Sequence, residues 1–159
     1  MKEPMTLFEI ICGTLDARNI RYRTVHHEPT FTSEESAAAR GEDVRIGGKA
    51  IVMKIDGRFH LFVLSASLKV DSKKIKEYFK AKSMRFASKD ELMELTGLVP
   101  GSVPPFGTPI LNLDLFIDSS IAENEKIAFN AGSLTDSVIM STKDYFSIAG
   151  GTVISFSQL

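Results

Sequence analysis

An α+β domain with a mixed β-sheet and flanking helices is the fold class this sequence predicts, and three observations predict it. Helix-capping signals and β-rich segments follow one another without regular β-α-β alternation, which disfavours a doubly wound sheet. Asp56-Gly57 separates two β-rich segments and is the strongest short-range hairpin signal a chain can carry. A length of 159 residues, 43% hydrophobic and 25% charged, suffices for one core and is short for two, so residues 1–159 read as a single compact domain.

Each element has its own signal. From Thr6 to Asn19 the apolar residues Leu7, Ile10, Ile11 and Leu15 recur at helical spacing, and Thr6 with Glu9 forms a capping box. Tyr22 to Val25 reads as a short strand. Thr32 and Glu35 repeat the capping-box pattern before an alanine-rich run that Gly41 stops. Lys49–Ile55 and Arg58–Leu64 are the hairpin strands. Asp71 or Ser72 can cap a lysine-rich helix running to about Lys82, and Ser88 with Glu91 caps another that ends at Gly97.

Residues 97–109 hold four of the six prolines and three of the eleven glycines, so they are expected to be neither helix nor central strand. Leu111, Leu113, Leu115 and Ile117 then alternate with more polar partners, as in a half-buried strand. Lys126–Asn130, Ser137–Met140 and Thr152–Phe156 are further strands, with a short helix at Ser141–Phe146.

Composition and motifs exclude several functions. The apolar runs Ile51-Val52-Met53 and Leu61-Phe62-Val63-Leu64 fall far short of the roughly 20 residues that span a bilayer, so no membrane partner is expected. The N-terminus shows no secretory signal, which points to the cytoplasm. The single cysteine, Cys12, reads as a small buried hydrophobe. A net charge of −1 argues against a protein that wraps long nucleic acid, and DNA is not expected as a partner. Gly47-Gly48-Lys49 fails the phosphate-loop pattern at both ends, and no G-x-S-x-G elbow occurs. His26, His27 and His60 give no zinc spacing, so neither a metal nor a cofactor is expected.

Three segments remain. They are His26 to Ala38, Gly48-Lys49-Ala50-Ile51-Val52-Met53-Lys54, and Gly97-Leu98-Val99-Pro100-Gly101-Ser102-Val103-Pro104-Pro105-Phe106-Gly107. A weaker fourth is Phe129-Asn130-Ala131-Gly132-Ser133 with Lys143-Asp144-Tyr145. In order and spacing they resemble the YbaK/prolyl-tRNA synthetase-associated domain family, over about residues 20–150. The resemblance implies an aminoacyl-tRNA deacylase that hydrolyses mischarged tRNA. It implies a water nucleophile helped by the neighbouring ribose hydroxyl, with no covalent intermediate. Some relatives carry a histidine near the closing segment where this chain has Asn130 and Leu134, a departure that bears on amino-acid specificity.

Lys49, at the mouth of a strand behind two glycines, reads by itself as a surface lysine at a strand end, and the resemblance makes it the first candidate for the chemistry, as a cation that stabilises charge developing on the carbonyl oxygen. The proline-rich loop offers backbone donors, and Gly101 and Ser102 are the catalytic candidates within it. The resemblance adds His26, Thr32, Pro105, Phe106, Gly107, Asn130, Gly132 and Ser133 as substrate-binding candidates. By their own pattern, His26 and His27 at a strand end read as solvated or core-capping side chains, and neither takes a catalytic role. Lys69, Lys73, Lys76 and Lys80, at i, i+4, i+7 and i+11, place four ammonium groups on one helix face, which reads either as a tRNA-phosphate surface or as a solvated face. Expected partners are mischarged tRNA and an aminoacyl-tRNA synthetase. The alternative function is a non-catalytic module that binds tRNA acceptor ends or an amino-acid-like ligand.

Overall fold

Capping side chains set most element boundaries. The computed structural model describes residues 4–159, so the N-terminal stretch expected to lack a secretory signal lies partly outside the described residues. Helix α1 (Leu7–Ala17) opens on a reciprocal Thr6–Glu9 capping box, and strand β1 (Tyr22–His26) follows. Helix α2 (Ser33–Arg40) starts where the Thr32 hydroxyl accepts the Glu35 N–H, and stops at Gly41 in the left-handed region. The expected reciprocal box at Thr32 is not closed, because the Glu35 carboxylate turns back to the Phe31 N–H instead.

A 3₁₀ turn (Val44–Ile46) leads into the hairpin of β2 (Gly48–Ile55) and β3 (Arg58–Ser65). Its turn residues Asp56 and Gly57 both have positive φ, the geometry that matches the twist of the two strands. Next come β4 (Lys69–Val70), α3 (Ser72–Phe79), β5 (Met84–Phe86) and α4 (Lys89–Thr96), the last with the predicted Ser88–Glu91 box. Helix α3 is shorter than expected. Lys80 takes the left-handed conformation and ends it, because its amide turns back to the Glu77 and Lys76 carbonyls.

Strand β6 (Asp114–Asp118) begins later than the leucine alternation suggested. Leu111 and Leu113 are buried in bends, since the Leu113 carbonyl is taken by the Thr108 amide and not by a strand. The chain closes with α5 (Ser119–Ala122), β7 (Lys126–Asn130), β8 (Asp136–Ser141), α6 (Thr142–Ala149), β9 (Thr152–Ile154) and β10 (Ser157–Gln158). Phe156, expected to end a strand, lies between β9 and β10, where its amide is claimed by the buried Asp118 carboxylate.

Two sheets organise the domain. One is mixed, in the order β5-β2-β3-β6-β9, and the other antiparallel, in the order β1-β8-β7. The main core lies between them, with Leu61, Val63, Leu115 and Ile117 meeting Ile127, Phe129, Val138 and Met140 under α1 and Tyr145. The other face of the mixed sheet carries Met53, Phe62 and Leu64 against Ile75 and Phe156. Both faces of β3 are therefore covered, which explains its uninterrupted apolar run. An isolated parallel bridge from Gly47 to Ala128 joins the sheets. At this seam a Cβ on Gly48 would fall 2.7 Å from the Ile127 Cδ1.

Candidate active site

The seam places Lys49 one residue into β2, opposite Leu64 of β3. Beside it lies a cavity of about 230 Å³ lined by α2, the segment before it, the β2 mouth, and two contacts from the proline-rich loop. Both glycines border the cavity, and both are also required by packing: a Cβ on Gly48 would meet Ile127, and one on Gly47 would meet the Ala66 Cβ at 2.9 Å and the Val44 carbonyl at 3.2 Å. Partial burial lowers the affinity of the Lys49 amine for its proton, the Glu34 charge opposes that effect, and the Lys69 charge adds to it.

Arg40, the last residue of α2, also lines the cavity and is only 8% exposed. Its Nε donates to the Ser137 Oγ at 2.9 Å and its Nη2 to the Asn130 Oδ1 at 3.1 Å. Asn130 in turn donates from Nδ2 to the Gly101 carbonyl at 2.8 Å, tying the loop to β7. His27 lies behind this network, with Nε2 at 2.9 Å from the Ser137 Oγ. Among the described residues no carboxylate forms an ion pair with Arg40. Burial pushes its guanidinium down to about 10, which leaves it charged at neutral pH. A helix C-terminus is a favourable place for such a charge, because the last carbonyls carry partial negative charge.

Of the residues proposed from sequence, Lys49, Gly101, Thr32 and Asn130 line the cavity together. Gly101 needs its positive φ of 88°, and its amide makes no hydrogen bond to the described residues. The other candidates lie elsewhere. Ser102 is buried and its hydroxyl donates to the Val99 carbonyl at 2.8 Å. Phe106 packs edge-on against Phe129 in the core, while the Pro105 carbonyl accepts from Tyr145. At Gly107 a Cβ would fall 2.5 Å from the Leu113 carbonyl, so this glycine serves close chain packing. Gly132 packs against Leu7, Ser133 bonds Thr135 and Asp136, and the exposed His26 pairs with Asp136 at 2.8 Å.

The lysine stripe is also redrawn. Only Lys73 and Lys76 of the four lie in α3, since Lys69 belongs to β4 and Lys80 is the left-handed residue that follows the helix. Cys12 is half-buried, and burial pushes its thiol above the ordinary value, away from a reactive thiolate.

Sequence reasoning passed over Thr30, Phe31, Ser33, Ser36 and Arg40 as lining residues. A signal existed for three of them. Ser33, Ser36 and Arg40 recur at i, i+3 and i+7, a polar stripe on an otherwise alanine-rich helix.

Two cations, Lys49 and Arg40, thus share one small cavity with the hydroxyl-bearing residues of the 30–36 segment and the apolar Ala50, Ile51 and Val103. The fold is shared with solved structures. A crystal structure of a candidate trans-editing enzyme for prolyl tRNA synthetase superposes with a TM-score of 0.82 at 23% identity, covering 99% of this chain and 100% of the other. The model of the aminoacyl-tRNA editing domain matches residues 27–148, and this chain belongs to that family, the deacylases that hydrolyse mischarged aminoacyl-tRNA. The multifunctional Ser/Thr-tRNA deacylase ProXp-y of Escherichia coli (strain K12) is 35% identical over 93% of this chain and 91% of its own length. The prolyl-tRNA editing protein ProX of Acetoanaerobium sticklandii is 27% identical over 86% of each chain. A proline--tRNA ligase of Bacillus licheniformis is 35% identical over 61% of this chain, which corresponds to 17% of the ligase. Among the described residues no helix is long and apolar enough to cross a membrane, and no group of three or more His, Cys, Asp or Glu is placed to hold a metal ion.

Proposed function

We propose that residues 1–159 act as one editing domain, in trans and in the cytoplasm, on tRNA charged with a small wrong amino acid. Serine and threonine are the first candidates. They are the amino acids in the name of the Escherichia coli relative, and a cavity of about 230 Å³ lies below the usual range for drug-sized ligands, roughly 300–1,000 Å³. A second, hydrolytic sieve is needed because one methylene in a binding pocket is worth only about 1–3 kcal/mol.

The observation that supports the reading is that Lys49 and Gly101, whose amide makes no hydrogen bond to the described residues, line one cavity. Water adds to the ester carbonyl carbon, and the negative charge on the carbonyl oxygen is met by the Lys49 ammonium and the Gly101 N–H. Collapse breaks the bond between the acyl carbon and the ribose oxygen. That oxygen takes up a proton, and free amino acid and tRNA leave. The neighbouring ribose hydroxyl relays the proton from the attacking water, so no protein nucleophile or metal is required. A synthetase partner is part of this proposal, since related segments occur within proline--tRNA ligases.

Deacylation of a panel of mischarged tRNAs by the purified chain tests the reading. Release of serine or threonine that survives EDTA at controlled magnesium is expected. Tight tRNA binding without turnover would make the chain a binding module instead.

A further inference from the structure

We infer that Arg40 is the specificity-determining residue of this site, and that its free Nη1 hydrogen-bonds the side-chain hydroxyl of the aminoacyl group. The inference rests on the deacylase reading above and adds which atom of the substrate is read. Two of the three guanidinium nitrogens are held by Ser137 and Asn130, which fixes the plane of the group. Nη1 has no hydrogen-bond partner among the described residues and is not sealed from the cavity. Gly47 lines the cavity beside this nitrogen: a Cβ there would meet the Ala66 Cβ at 2.9 Å and the Val44 carbonyl at 3.2 Å and would lie 3.6 Å from Nη1.

A buried guanidinium without a carboxylate is a strong donor in search of an oxygen. The rest of the lining selects which oxygen. Thr30 and Ser36 bond each other through their hydroxyls at 2.8 Å, and that pair uses only one of its two hydrogens and one of its acceptor sites. A substrate hydroxyl can therefore accept from Arg40 and donate to, or accept from, this pair. Ala50, Ile51 and Val103 supply apolar walls around it. An alanine or valine side chain in the same place would cover the guanidinium and leave its donor unpaired, the situation that separates a hydroxyl from its isostere most strongly.

The test charges one tRNA in turn with serine, alanine, threonine and valine and measures kcat/KM for the parent protein and for Arg40→Gln. Threonine and valine have nearly the same shape, so the parent should favour threonine by about 10²-fold or more, and serine over alanine likewise. Arg40→Gln should lose about 10- to 100-fold more kcat/KM on serine and threonine than on alanine and valine. Should the variant fail to fold, the threonine-to-valine ratio of the parent decides by itself, and a ratio near one overturns the inference. Equal losses on all four substrates would make Arg40 a structural residue. Equal rises in KM with a flattened salt dependence would make it a phosphate contact, and either result overturns the assignment. A parent that hydrolyses none of the four overturns the deacylase reading itself, and the inference falls with it.

Discussion

The segment 30–40 and the loop 97–109 both border the cavity, and they do different work. The loop looked like the site because prolines and glycines crowd it, yet only Gly101 and Val103 reach the cavity, while Ser102, Phe106 and Gly107 are buried in packing. The alanine-rich helix looked bland, yet with the residues before it contributes Thr30, Phe31, Thr32, Ser33, Ser36 and Arg40 to the lining. Proline and glycine report that a backbone has an unusual shape; they do not report what that shape is for. A short helix aims its polar face by periodicity, and its position against a seam between two sheets makes that face a wall.

Mutations separate the roles of the two regions, and the greatest loss is expected in the loop. Phe106 is 2% exposed between Phe129 and Tyr145, so Phe106→Ala should cost about 3–5 kcal/mol in denaturant unfolding. A stable Phe106→Ala protein with lost turnover would instead return this residue to the substrate.

Lys49→Ala should lower kcat/KM by about 10²-fold, close to 2.7 kcal/mol of transition-state stabilisation, while the melting temperature stays within a few degrees. Lys49→Arg keeps the charge with different reach and should recover only part of the rate. The sign of the pH effect follows from burial. The folded state holds the Lys49 proton less tightly than a free lysine does, so activity that needs the ammonium falls as pH rises, beginning below the ordinary lysine value. A kcat/KM profile corrected for spontaneous ester hydrolysis measures this, and a parental rate in Lys49→Ala would move the chemistry elsewhere.

Ser102→Ala removes one hydroxyl bond to the Val99 carbonyl, which keeps the Ser102 amide, so a stability loss of about 1 kcal/mol is expected with turnover within about threefold of the parent. A 10²-fold loss in a folded Ser102→Ala protein would make the loop a second arm of the chemistry. The smallest effect belongs to the exposed lysines. Changing Lys73, Lys76 and Lys80 together to Gln should raise KM for whole tRNA and flatten its salt dependence with kcat retained. An unchanged salt slope would assign them to solvent.

Features set by neighbours in the chain could be read from residue order alone. The Thr6–Glu9 and Ser88–Glu91 boxes, the stop at Gly41 and the Asp56-Gly57 turn need only residues a few positions apart, so their chemistry is legible in order. The segment pattern also located Lys49, Gly101, Thr32 and Asn130, which line one cavity. What those residues face depends on contacts between distant parts of the chain. Arg40 meets Ser137 and Asn130 from 97 and 90 residues away, and Gly48 owes its small size to Ile127 on another sheet. The length of α3 and the late start of β6 were settled by the Glu77 and Lys76 carbonyls and by the Thr108–Leu113 bond. Local propensity is a matter of tenths of a kcal/mol per residue, whereas burying a guanidinium or closing two sheets on each other involves several kcal/mol, so distant contacts fix the site where local signals leave it open.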